Sequence, residues 1–125
     1  MPRLLTVIAV LCVAAVALLP SSAVAKPPHK CKSADLRYPF RPGEPKLFGV
    51  FKLRITNGKC RTAHRVAERW MTRFEANLRA GRVTLPRSVD GFAFETLPAH
   101  AAQTYSERGH KRHTTIRFDY RVPNG

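Results

Sequence analysis

Carboxylates are scarce in this chain: eight Asp and Glu stand against 22 Lys and Arg in 125 residues, for a formal charge of +14 at pH 7. So basic a balance favours anionic partners, whether nucleic acid, acidic wall polymers or lipid head groups, and speaks to association and solubility rather than to fold. Cysteine is sparse too, with three in all. None forms a Cys-x-x-Cys pair, which removes dithiol redox chemistry. The chain also lacks a Gly-x-Ser-x-Gly nucleophile elbow and a phosphate-cradling glycine loop, so serine hydrolase and nucleotide-hydrolysing chemistry have no local signature.

The one long apolar run sits at the beginning. Arg3 supplies a positive start, Leu4 to Leu19 form the apolar stretch, and Ala23-Val24-Ala25 is a small-residue cleavage site ahead of Lys26. The run is shorter than the roughly 20 residues of a spanning helix and stops at Pro20-Ser21-Ser22, which predicts a cleaved export signal over 1–25. Cys12 falls inside that leader after Leu11, a poor context for lipidation. The mature chain loses only Arg3 among its charged residues, and no transmembrane segment is expected in it.

With Cys12 removed, Cys31 and Cys60 remain, and an even pair in an exported protein predicts a disulfide. Closing such a loop should stabilise the fold by roughly 3–4 kcal/mol. Residues 26–48 carry Pro27, Pro28, Pro39, Pro42 and Pro45, which remove backbone donors and predict an extended arm over the surface. A domain of 49–125 follows.

Within it, 50–55 alternates as a half-buried strand, with Phe51, Leu53 and Ile55 inward and Lys52 and Arg54 outward. Asn57-Gly58 turns the chain into a helix over 59–80, ended by Gly81. Its apolar positions Ala63, Val66, Ala67, Trp70, Met71, Phe74 and Leu78 make one stripe, with Trp70 as the core anchor. A loop over 82–90 leads to a strand from Phe92, a short strand over 103–107, a glycine turn at Arg108-Gly109-His110-Lys111-Arg112 and a last strand from Thr114 to Val122. The expected fold is α+β: a small, mainly antiparallel sheet of three to four strands with one helix packed on one face, stapled by the disulfide.

Gly58-Lys59-Cys60-Arg61-Thr62-Ala63 with Val66-Ala67, then Gly91-Phe92-Ala93-Phe94, then Arg108-Gly109 and Ile116-Arg117-Phe118, resemble the layout of small secreted proteins of actinobacterial type whose function is unknown. The resemblance covers about Phe51 to Tyr120 and implies a secreted domain, with no activity attached. Those relatives often carry a second cysteine pair in the two strands after the helix. This chain has Phe94 and Tyr105 there, and an aromatic contact between them would stand in for the bridge.

Arg61, Arg65, Arg69 and Arg73 recur every four residues, either as an anion-binding ridge or as a solvated helix face balanced by Glu68 and by a Glu75–Arg79 pair. Lys52, Arg54, Arg117 and Arg121 should make the uncovered sheet face basic as well. With Phe51, Phe92, Phe94, Phe118 and Tyr120 all in inward phase, that face offers no platform for base stacking, which argues against sequence-specific nucleic-acid recognition. His110 and His113, with His100 as a third, lack the spacing and companions of a metal site, so neither metal nor cofactor is expected. The expected function is non-enzymatic: electrostatic association with anionic envelope or extracellular polymers. The alternative is a secreted nuclease or other hydrolase of a polyanion using Glu95, Arg117 and His113. A third class, an interaction or inhibitor domain, would use the proline-rich arm or the 82–90 loop.

Overall fold

One helical stripe decides the architecture. In the computed structural model, which describes residues 26–99 and 101–123, helix α1 spans Cys60–Arg79 and buries Ala63, Val66, Ala67, Trp70 and Phe74 completely. These positions fall at three- and four-residue steps, so one face is apolar and the other is left to arginine. The helix ends in a Schellman arrangement: Gly81, at φ 75°, donates to Leu78 O, and Arg82 N–H reaches Asn77 O at 2.9 Å. Trp70 packs at 5.2 Å from both Phe74 and Phe118 and at 5.4 Å from Tyr120, joining helix to sheet.

The sheet beneath is antiparallel throughout and has seven strands, a correction to the three or four expected. They are β1, His29–Lys30; β2, Arg37–Tyr38; β3, Phe48–Thr56; β4, Ser88–Val89; β5, Phe92–Leu97; β6, Thr104–Lys111; and β7, Thr114–Arg121. The order is β1-β3-β7-β6-β5-β4, with β2 also pairing with β3. The additional strands, β1, β2 and β4, are two residues long. A pair of residues shows no period, and it becomes strand only when a longer neighbour supplies the ladder.

Two of these short strands belong to the proline-rich arm. β1 lies against Arg54 and Ile55, and β2 against Phe48 and Gly49, so the arm lines the edge of β3 on either side of a 3₁₀ turn, Ala34–Leu36. Leu36 is buried, and Ser33 Oγ donates to Val50 O at 3.0 Å. The Cys31–Cys60 disulfide fixes the arm to the first residue of α1, with Cα atoms 5.3 Å apart. His64 Nε2 and Asp35 Oδ2, 2.6 Å apart, add a second tie to the helix. The arm is part of the body of the sheet.

Three local expectations need correction. Lys52 has φ 53° at a bulge between Phe51 and Arg54, where the β3–β7 register shifts. The bulge reverses the side-chain phase, so Val50, Leu53 and Ile55 are buried and Phe51 lies half-buried among the outward-facing arginines. Arg108-Gly109-His110 is strand rather than turn: β6 continues to Lys111, which pairs with Thr114 around Arg112 and His113. Gly109 serves a packing purpose, because a Cβ there would stand 2.6 Å from the Phe94 ring. Finally, Phe94 is opposite Gly109 and Tyr105 opposite Tyr120, so the proposed aromatic substitute for a bridge does not form. Their rings pack instead on Phe118 and Phe74.

Candidate functional site

Alternation along β7 creates the site. Ile116, Phe118 and Tyr120 are buried beneath α1, which directs Arg117, Asp119 and Arg121 to the opposite, uncovered face. Register then assembles a line of charge across the strands. Arg54 stands opposite Arg117, Arg117 opposite Arg108, and Arg108 opposite Glu95, with Lys30 beyond Arg54 on β1. Neighbouring strands lie about 4.8 Å apart. Like charges placed directly opposite each other destabilise a sheet, so this face carries an electrostatic cost in isolation.

Compensation within the row is partial. Arg108 binds Glu95, its Nε donating to Oε1 at 2.6 Å. That hydrogen bond holds the Glu95 carboxyl below the usual carboxylate range, helped by His110, whose Nε2 is 3.6 Å from the same oxygen. Arg54 and Arg117 make no ion pair among the described residues, and Arg54 Nε is buried with no hydrogen-bond partner. One row further along, Asp119 accepts from Ser106 Oγ at 2.8 Å and lies 3.9 Å from Lys52 Nζ.

Phe51 carries the other part of the face. Arg37 and Arg121 place their guanidinium carbons 4.3 and 4.1 Å from its ring centroid. Arg37 is further fixed by donating through Nε to Val50 O at 2.9 Å. With two cations over it, the ring organises a cationic cluster rather than offering itself to a base. Neither Arg37 nor Arg108 was identified from the sequence. Arg37 lies in an arm without periodicity, and Arg108 lies in a segment whose glycine suggested a turn.

The helix arginines sit elsewhere and are largely engaged. Arg69 Nη1 donates to Asp90 Oδ1 at 2.6 Å, Arg65 Nε is 3.7 Å from Asp90 Oδ2, and Arg73 Nη1 donates to Ser88 O at 2.8 Å. They clamp β4 and the turn after it onto α1. Arg61 is exposed at the start of the helix.

The nuclease trio is not brought together. Glu95 and Arg117 share the charged row, but His113 occupies the hairpin tip, where its carbonyl accepts from Asn57 Nδ2 at 3.0 Å. His110 is the imidazole beside Glu95. Among the described residues no group of three or more His, Cys, Asp or Glu is placed to hold a metal, and His100 lies outside them. No helix among the described residues is long and apolar enough to cross a membrane, and the expected leader, 1–25, lies outside them.

The opposite face holds a residue that sequence reasoning missed altogether. Glu107, 1% exposed, points inward from β6 and accepts from Thr96 Oγ1 at 2.7 Å. Burial raises its pKa to about 7, with the Thr96 hydrogen bond opposing the rise. Its inward phase depends on the register of β6, which the sequence alone did not supply. Comparison with family models, with curated proteins and with solved structures finds no match.

Proposed function

We propose that this protein is an exported, non-enzymatic basic module that associates with anionic envelope or extracellular polymers through the open face of its sheet. The observation that supports this reading is the Arg54–Arg117–Arg108 row, in which only Arg108 has a carboxylate partner among the described residues. A polymer bearing repeated phosphate or carboxylate groups relieves the repulsion along the row and gives each guanidinium a charge-assisted hydrogen bond. Selectivity is broad, because the face presents charge in a line and no free ring for a base.

Retention of the oxidised protein on immobilised anionic wall polymer across a salt series tests the reading. Affinity should fall steeply with salt. The double substitution R54A/R117A should weaken binding and flatten the salt slope by about 1–2 units, whereas R65A/R69A should change binding much less. Equal losses from the two pairs, or retention indifferent to salt, would refute a sheet-face site.

The Glu95–His110 contact beside two arginines supports a second reading, cleavage of an RNA-like polyanion with the carboxylate as base and the imidazole as acid. RNA degraded by wild type but left intact by H110A would replace the binding reading with this one.

A further inference from the structure

Behind the sheet, past the end of α1, the segment 83–87 crosses towards β4 and forms a partly open pocket of about 490 Å³ against β5 and β6. Its walls include Leu85, Pro86 and Phe94, Thr96 and Glu107 supply polar atoms from the sheet, and the charged side chains of Arg87 and Glu95 line it as well. The segment is fixed at both ends. Asn77 Nδ2 donates to Thr84 O at 2.8 Å, and Phe94 N–H reaches Arg87 O at 2.8 Å. The volume falls within the range of small-ligand sites, about 300–1,000 Å³.

Glu107 makes this more than a packing defect. Four of the other carboxylates lie against basic side chains: Asp90 meets Arg69, Glu95 meets Arg108, Asp119 meets Lys52, and Asp35 meets the His64 imidazole, while the less buried Glu75 accepts from the Tyr120 hydroxyl. Glu107 is the most buried carboxyl among the described residues. Among the described residues Thr96 is its one hydrogen-bond partner, through Oε1, and no Lys, Arg or His forms an ion pair with it. A buried acid without a cation is costly to ionise. An isosteric amide or an apolar residue would fill the same space without that cost. Glu107 instead lines this pocket with a carboxylate oxygen uncommitted.

We propose that this cavity binds a small amine with an apolar body, the ammonium group meeting Glu107 and Thr96 and the body lying against Leu85, Pro86 and Phe94. The ammonium supplies the charge partner that the chain withholds, and burial makes that pairing strong. Ligand class follows from the buried end of the lining: Arg87 is exposed, so a group that reaches Glu107 meets the acid, which pairs with an ammonium and repels a carboxylate or phosphate, and a neutral hydrocarbon would leave the acid unpartnered.

This site and the open sheet face respond oppositely to salt. The protein's net positive charge repels an approaching amine, and salt screens that long-range repulsion while affecting the buried pair much less. Amine binding should therefore hold or strengthen with salt, whereas polyanion binding weakens.

An NMR titration of the oxidised protein with phenethylamine, and with 2-phenylethanol as the uncharged control, tests the proposal. Saturable shifts should map to residues 83–87, Phe94 and Thr96, with the amine preferred over the alcohol. Affinity should rise roughly ten- to a hundred-fold from pH 5 to pH 8, because the carboxyl must be ionised to pair with the ammonium. Glu107→Gln should abolish the preference for the amine. Leu85→Trp, which fills the cavity while keeping the acid, should abolish binding of both probes and remains informative if Glu107→Gln does not fold. No saturable shift at millimolar amine, equal affinity for amine and alcohol, or amine binding unchanged in either folded variant would overturn the assignment.

Discussion

At the residue scale, Glu107 makes the stability of the fold depend on pH even without a ligand. Its folded-state pKa, about 7, lies above the ordinary 4.5, so between those values the folded chain holds a proton that the unfolded chain releases. Stability from this group is therefore greatest below about pH 4.5, declines as pH rises and levels off above about 7. Urea melts across that interval should show a decline of roughly 2–3 kcal/mol, and Glu107→Gln should flatten it. Gly109 makes a simpler prediction. A methyl group there meets the Phe94 ring, so Gly109→Ala should cost about 1–3 kcal/mol through overpacking, read as a lowered thermal midpoint. Substituting Phe94 with Leu in the same chain should recover part of that loss. Neither residue announced its role in the sequence. Gly109 fits a turn and residue 107 merely ends the short strand expected over 103–107, because both roles depend on what stands opposite them.

At the scale of the element, legibility followed length. Helix α1 and strand β7 repeat their patterns over 20 and 8 residues, enough for Trp70, Phe74, Ile116, Phe118 and Tyr120 to identify the core unaided. β3 was legible as a strand and in the inward facing of Leu53 and Ile55, while the single positive φ at Lys52 moves Phe51 to the other side. That one shift also hid half of the candidate site, because Arg37 and Arg121 gather on Phe51. The prolines predict an extended arm over the surface and do not reveal its pairing with β3, because prolines mask an edge strand more readily than they prevent one. The disulfide makes this region testable. Replacing Cys31 and Cys60 together with Ser should lower stability by about 3–4 kcal/mol. Amides of β1 should lose their protection from hydrogen exchange first, while those of β6 and β7 retain theirs until global unfolding.

Across the whole molecule, charge sets the behaviour. At a formal +14 the folded chain repels itself, and compaction brings Arg54, Arg117 and Arg108 into line. Moderate sodium chloride should accordingly raise the thermal midpoint by screening. Short anionic oligomers should raise it further at low salt, since a ligand that binds only the folded state stabilises it. A midpoint that fell with salt would show that ion pairs such as Arg69–Asp90 outweigh the repulsion. The basic excess was plain from composition. Its division into a clamped helix stripe and an open sheet row was not, because that depends on which arginines find Asp90 and Ser88 within reach.

The covalent link between arm and helix also gives the molecule a mechanical polarity. Tension applied through Lys26 passes β1 and arrives at Cys31, where the bond to Cys60 transfers it to the start of α1. The rest of the arm, from residue 32 onward, bears none of it, and β2 stays seated on β3. Tension applied from the other side enters through Val122 into β7, which is held on both flanks by β3 and β6. A tethered copy would load its central strand in shear and its helix at one end, and it would keep the arginine row assembled until β7 slides.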